Sequence, residues 1–341
     1  MKQTHYIGGE FASNDLDAFV NEHRYNELSP KFLNGKELNF FETGTDSLAA
    51  IIIENCLENV DLNFWIPDNY CFETIERLKI KLSIKNINLN ILKYYHLSDI
   101  TIQNYDCVLL YHNNLYIDFE KYDFGGDCFT IEDFVHAPLD IKHFKADYAF
   151  NSLRKFCHLE LSMAYMNKCY DNESNDLYSD YFNFKNKAKN LKSIFLECGD
   201  VNIENEYLNL FKLANEKLFV PEIVFAQQKE IETLGKVNFS LIRKRREDNF
   251  LVLKNELSFI SDVKICNGLY MLFIIECKNR DELKKWLASK GIFTAIHWLD
   301  SNSIQVKNKL SIHIDHRYSN DDIYRISREI HKFYEYNNRN Y

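Results

Sequence analysis

From residue 39 to about 166, short apolar runs alternate with amphipathic stretches. Asn39-Phe40-Phe41 predicts a strand and Asp46 to Glu58 a helix. Asn63-Phe64-Trp65-Ile66 predicts the next strand and Phe72 to Ser83 the next helix. Further runs of strand length are Asn88 to Leu92, Cys107 to Tyr111, Cys128 to Ile131, Tyr148 to Asn151 and Leu161 to Tyr165. Strands that alternate with helices in this way imply an α/β fold: a mostly parallel central sheet with helices on both faces. In such sheets ligands bind beyond the carboxyl ends of the strands.

After about residue 170 the pattern changes. Residues 180 to 217 and 238 to 257 read as long amphipathic helices. A smaller C-terminal α+β domain follows. It has a strand at Leu269 to Cys277, a helix from Arg280 to Lys290 and a stop at Gly291. Strands at Ile292 to Trp298 and Leu310 to Ile314 precede a last helix from Asn320 to Tyr334. Glycine after a helix and a Ser-Asn-Asp-Asp cluster before one are the expected stop and start signals. The expected division is a large domain over residues 1–217 and a small one over 218–341, with a cleft between them beside the sheet's functional edge.

The 341 residues suit two connected lobes better than one small core. A net charge of -9 argues against a nucleic-acid partner, which needs a concentrated basic surface. The one dense basic run, Arg243-Lys244-Arg245-Arg246, meets Glu247 and Asp248 at once and reads as a solvated helix face. Nine scattered cysteines with no CxxC pair suggest reduced thiols of a cytoplasmic protein, with neither a disulfide framework nor a metal site. Met-Lys-Gln-Thr-His leads into no apolar run, so no signal peptide is expected, and no stretch has the length of a membrane span.

Four stretches carry candidate chemistry, each at the carboxyl end of an expected strand. Thr43-Gly44-Thr45-Asp46-Ser47 joins a strand to a helix. There glycine lets backbone approach a phosphate and the helix start offers free N–H groups. Pro67 to Thr74 contains Phe72, which could stack on a flat ring or simply fill core. Glu132-Asp133-Phe-Val-His136 places a carboxylate where it could pair with a protonated ring nitrogen, or cap a helix. Ser152-Leu-Arg154-Lys155 ends a strand on a hydroxyl and follows it with an amine, whose pKa burial and Arg154 would lower. Each stretch alone has a plain structural reading. In this order they supply a phosphate cradle, a ring stack, a pyridine partner and a lysine.

With these residues the chain resembles the DegT/StrS-type sugar aminotransferases, pyridoxal-phosphate (PLP) enzymes of fold type I. The family's "GT-x-AL", "P-x-Y-T-F-x-A-T", "E-D-A-A-Q/H" and "S-x-x-K" are matched by Gly44 to Leu48, Pro67 to Thr74, Glu132 to His136 and Ser152 to Lys155. Arg245-Arg246-Glu-Asp-Asn249-Phe250, Asn279-Arg280, Gly291-Ile292, His297-Trp298 and Ile314 to Tyr318 resemble the patterns of its C-terminal half. The resemblance implies that Gly44, Thr45 and Ser152 bind the cofactor's phosphate, that Phe72 stacks on its ring, and that Asp133 and His136 contact the ring. Lys155 would carry the cofactor as a Schiff base and then act as general base and acid. His297, Trp298 and Arg317 are candidates to face substrate. Glutamate is the implied donor, a nucleotide-linked keto sugar the acceptor, surface polysaccharide the destination, and a homodimer with sites at its interface the assembly.

Two departures stand out. The family's glycine pair after the lysine is replaced by His158-Leu-Glu-Leu-Ser162-Met163, and its interface segment "N-Y-R-M" has no match near Phe219 to Gly235. They leave open a PLP lyase, an aminotransferase for a substrate other than a sugar, and a PLP-fold protein that binds without catalysing.

Overall fold

The computed structural model describes residues 6–21, 31–103, 106–112, 124, 128–170, 176–266, 272–296 and 307–338. The large lobe is built on β1 (Phe32–Leu33), β2 (Lys36–Phe41), β3 (Asp61–Pro67), β4 (Asn88–Tyr94), β5 (Asp106–Tyr111), β6 (Cys128–Asp133), β7 (Tyr148–Phe150) and β8 (Ser162–Met166). They form one sheet in the order β1-β2-β8-β7-β6-β5-β3-β4. The run from β7 through β6, β5 and β3 to β4 is parallel, while β8 is antiparallel to both β7 and β2. Every strand expected between residues 39 and 166 is present, with ends shifted by a few residues. The unbroken apolar run of β5 reflects its place: all six residues are buried, as in a strand covered on both faces.

Helix α1 (Gly44–Asn55) links β2 to β3, and α2 (Phe72–Leu82) links β3 to β4. Thr43 caps α1: its Oγ accepts the Asp46 N–H at 3.2 Å and donates to Asp46 Oδ2 at 2.6 Å. The other Asp46 oxygen meets Lys81 Nζ of α2 at 2.7 Å, in an ion pair with both side chains at or below 1% exposure. Lys81 also donates to the carbonyls of Val220 and Glu222 and to Tyr178 Oη. The Val224 N–H donates to Asp46 at 3.1 Å. One ammonium thereby ties the first turn of α1 to α2 and to the segment leaving the large lobe.

The stretch that replaces the glycine pair is core. Leu161 and Met163 are fully buried and pack with Phe134, Phe144 and Tyr165. Ser162 Oγ donates to the Asn151 carbonyl and lies 2.6 Å from Ser47 Oγ. The replacements therefore fill space behind the sheet's functional edge.

The expected helix over 180–217 is two helices, α3 (Ser179–Cys198) and α4 (Val201–Glu216). Gly199 breaks them with φ 70°, a left-handed conformation in which glycine carries no penalty. Its N–H closes α3 on the Phe195 carbonyl, and Asp200 caps α4. Next come α5 (Gln228–Leu234) and α6 (Phe239–Leu257), then β9 (Val263–Cys266), β10 (Phe273–Cys277), α7 (Arg280–Ser289), β11 (Lys309–Ile312) and α8 (Asn320–Asn338). The three strands make a small antiparallel sheet in the order β11-β10-β9. Ala226, Leu234, Phe239 and Ile242 pack with the large lobe, and from Phe250 onward the apolar side chains of α6 belong to the small lobe's core. The expected strand from Leu269 begins at Phe273, and residues 267–271 lie outside the described residues. Of the strand expected at Ile292 to Trp298, Ile292 and Ala295 make isolated pairings; His297 and Trp298 lie outside the described residues.

Residues 6–21 form a strap across both lobes. Ile7 pairs with Ile292, and Val20 pairs with Val237. Gly8, at φ 98°, donates its N–H to Tyr318 Oη at 2.7 Å. A Cβ there would fall 2.2 Å from the Phe293 carbonyl oxygen, so only glycine allows the strap this close. Among the described residues no helix is long and apolar enough to cross a membrane.

Lys81→Met would leave Asp46 buried without its cation. A loss of about 3–5 kcal/mol in unfolding free energy is expected. Urea denaturation checks it, and Asp46→Asn in the same chain should recover part of the loss. A loss below about 1 kcal/mol, the range of exposed pairs, would show that the pair does not hold the lobe.

Candidate active site

The carboxyl ends of β3, β5, β6 and β7 and the start of α1 meet at one edge of the sheet. Gly44 opens α1, where the first N–H groups have no acceptor within the helix. A Cβ on Gly44 would sit 3.4 Å from Ser152 Cβ, Val135 Cγ2 and Phe150 Cε2. The structure therefore brings Gly44 and Ser152 together, and Thr45 lies buried beside them.

Asp133 ends β6 at 1% exposure. Tyr70 Oη donates to its Oδ2 and the Val135 N–H to its Oδ1, both at 2.7 Å. Burial raises its pKa to about 6, against the opposing pull of those hydrogen bonds and of Lys155. Three residues on, His136 is buried, with Tyr111 Oη 3.1 Å from its Nδ1. The rings of Tyr70 and Tyr111 meet edge to face at 5.2 Å. Lys155 ends the short 3-10 turn after β7 and stays open to solvent in a cleft that protein surrounds closely. That dense surrounding lowers its pKa; Arg154 and Arg77 add to the effect, and Cys71 and Asp133 oppose it.

The cleft has a volume of 430 Å³ and runs between the lobes under the strap, within the ~300–1,000 Å³ of small-molecule sites. Of the expected residues, His136, Lys155 and Arg317 line it. Phe72 does not. It is the first residue of α2, turned outward at 71% exposure, because the first turn of that helix stands at the rim, beyond the end of β3. Tyr70, two residues earlier, is the aromatic that turns inward. Arg317 has an acceptor for each of its five N–H groups: Asp315 bidentate at 2.7 and 2.8 Å, Asp15, and the carbonyls of Gly9 and Glu10. It holds the strap, and no donor remains for a substrate.

Several further residues that were not site candidates line the cleft. Arg246 departs from the solvated-face reading of its run: Lys244 and Arg245 are exposed, but Arg246 is 2% exposed, lines the cleft and stacks on Phe156 at 4.1 Å. Its phase was the available signal, since Ile242, Arg246, Asn249, Phe250 and Leu253 share the buried face of α6. Burial brings its pKa down to about 10. Arg77, Arg154, Lys185 and Glu10 also line the cleft.

Asp133 gives a pH-dependent expectation for protein free of cofactor. Its folded pKa of about 6 exceeds the ordinary 3.8, so folding is favoured while it is protonated. That contribution is present below about pH 4 and is lost as pH rises to about 6, a swing of about 3 kcal/mol. Asp133→Asn stays neutral throughout. Its melting temperature should therefore gain on the parent between about pH 4 and 6 and hold that gap above; a gap constant with pH would contradict the buried, poorly compensated carboxylate.

No family model and no curated protein sequence matches the chain. Solved structures do. The sugar aminotransferase CalS13 from Micromonospora echinospora aligns with a TM-score of 0.56 at 11% identity, over 96% of this chain and 99% of that one. PseC from Helicobacter pylori, an aminotransferase involved in pseudoaminic acid biosynthesis, aligns at 0.54 and 10% identity, over 98% and 93%. A DegT DnrJ EryC1 StrS aminotransferase from Brucella abortus aligns at 0.51 and 12%, over 94% and 95%. The chain has the fold type I architecture of PLP-dependent aminotransferases.

Proposed function

We propose that this protein is a PLP-dependent aminotransferase acting on a keto sugar. The observation that carries the reading is Asp133 at the end of β6 and Lys155 in the 3-10 turn that follows the neighbouring parallel strand β7, each acting on the other's charge, with Gly44 and Ser152 packed against each other at the same edge. The fold adds support, since CalS13, PseC and the Brucella abortus protein, which share it, are aminotransferases.

The residues fit the cofactor. A Cβ at position 44 would occupy space 3.4 Å from Ser152, Val135 and Phe150, and the bare glycine leaves that space open for a phosphate. The N–H groups of Gly44 and Thr45 and the Ser152 hydroxyl would hold that phosphate. Asp133 is a buried carboxylate whose raised pKa marks an unmet demand for positive charge, and a protonated ring nitrogen would meet it. Tyr70 keeps that carboxylate oriented. His136 would contact the ring, and Lys155 would hold the cofactor through its amine. When bound, PLP supplies an electron sink for the pair left behind at a donor's α-carbon. Lys155 Nζ would accept the proton leaving that carbon, a task its lowered pKa suits.

The finer reading takes glutamate as the donor and a nucleotide-linked keto sugar as the acceptor, in a cytoplasmic homodimer that serves surface polysaccharide synthesis. CalS13, a sugar aminotransferase, and PseC, an aminotransferase involved in the biosynthesis of pseudoaminic acid, support the acceptor. A binding protein without catalysis is the weaker reading, because the substitutions at Leu161 and Ser162 pack into the core and leave the cleft at Lys155 open.

Purified protein titrated with PLP should gain a visible absorbance band, and borohydride should then attach the cofactor to Lys155. Glutamate should bleach the band and a keto-sugar nucleotide should restore it. Lys155→Ala should lower turnover by about 10²–10⁴-fold. Protein that stays colourless in excess PLP would sink the proposal; a band that another amino acid bleaches and glutamate does not would remove glutamate alone.

A further inference from the structure

The buried stripe of α3 contains lysines: Tyr181, Lys185, Ala188, Lys189, Lys192 and Phe195 face inward together. A buried ammonium needs an anion or acceptors close by. Lys189 has them, in Glu160 at 2.8 Å and the His158 carbonyl at 2.8 Å. Lys192 donates to the Glu10 carbonyl. Lys185 differs. Its side chain is 2% exposed and lines the cleft, yet its ion pair with Glu10 Oε2 spans 3.3 Å. A tight charge-assisted bond measures about 2.7–2.9 Å. Glu10 itself is 47% exposed and reaches in from the strap.

Arg154 lines the same cleft next to Lys155. Behind it Tyr181 hydrogen-bonds buried Glu160. Burial works against the charge of Arg154, but Tyr181, Glu160 and Glu10 hold it firmly protonated. The strap is held by its backbone, since Ile7 pairs with Ile292, the Gly8 N–H donates to Tyr318 Oη and Lys192 donates to the Glu10 carbonyl. The Glu10 carboxylate can therefore swing aside while the strap stays in place.

We propose that Lys185 and Arg154 form a second anion subsite in the cleft, for which Glu10 is the resident placeholder, displaced by a carboxylate or phosphate group of the incoming substrate. Calling that anion a substrate's rests on the aminotransferase reading; the subsite itself does not. The chemistry favours a ligand with an anionic group remote from the reacting carbon. That group is either the second carboxylate of a dicarboxylic donor or the diphosphate of a nucleotide-linked acceptor. A donor with an uncharged side chain leaves Glu10 undisturbed.

Calorimetric titration of PLP-saturated protein with glutarate and, separately, with inorganic pyrophosphate tests this. Glu10→Gln should tighten one of the two by about fivefold or more, and Lys185→Gln should weaken it by about tenfold, the range of charge-assisted contacts. The probe that responds identifies the donor carboxylate or the diphosphate. Lys187→Gln, on the same helix but paired outward with Glu206, should change neither. Circular dichroism and melting curves establish that each variant is folded. If both probes bind Glu10→Gln and the parent alike, or neither binds at all, the subsite is wrong. Visible absorbance reports PLP uptake separately. Protein that takes up no PLP yet shows these shifts keeps the subsite and loses the proposed function, and the converse result keeps the function and loses the subsite.

Discussion

The Asp46–Lys81 ion pair sits where three parts of the chain meet. Asp46 lies in the first turn of α1, Lys81 in the last turn of α2, and the carbonyls of Val220 and Glu222 belong to the segment between α4 and α5. Replacing such a pair with apolar side chains often leaves stability unchanged, so its worth is geometric. It sets where α1 begins. That sets where Gly44 stands against Ser152, and hence whether the helix N–H groups and the serine hydroxyl face one space. The remaining site residues hang from parallel strands, whose carboxyl ends the sheet already aligns.

Around that frame, burial sets the electrostatics. Asp133 and Lys155 are opposite charges, and packing disfavours the ionised form of each. Asp133 is left with a proton affinity near neutrality, and Lys155 with an amine more easily neutral. The groups that ring them are paired differently. Arg317 has an acceptor for every N–H, in Asp315, Asp15 and backbone carbonyls, whereas Lys185 pairs with one carboxylate, on a Glu10 side chain that is 47% exposed. The first kind of cation is architecture; the second is available to a ligand.

Much of this was legible in the sequence, for a physical reason. A strand buried on both faces is an apolar run, and the residue after the run lies at the edge where ligands bind. Asp133 closes the strand that begins with the run Cys128 to Ile131, and Ser152 lies two residues past buried Tyr148 to Phe150. The 71% exposure of Phe72 was not legible, because an aromatic at a helix start looks the same in sequence whether it is buried or open to solvent. Arg246 was misread because its charged neighbours hid its phase on the helix. Lys185 required knowing that a lysine on an apolar stripe is buried, and its partner, Glu10, lies 175 positions away. Contacts of that range leave no local trace.

The strap has a consequence in time. Ile7 pairs with Ile292 and Gly8 bonds to Tyr318, so residues made near the beginning find partners made near the end. On a ribosome, the large-lobe sheet is complete well before those partners emerge. Until then the strap is unfastened on the small-lobe side, and the cleft lacks the wall that Arg246, His313 and Arg317 give it. A ligand bound during translation would meet a wider opening than the finished chain offers, where residues 9–11 line the cleft.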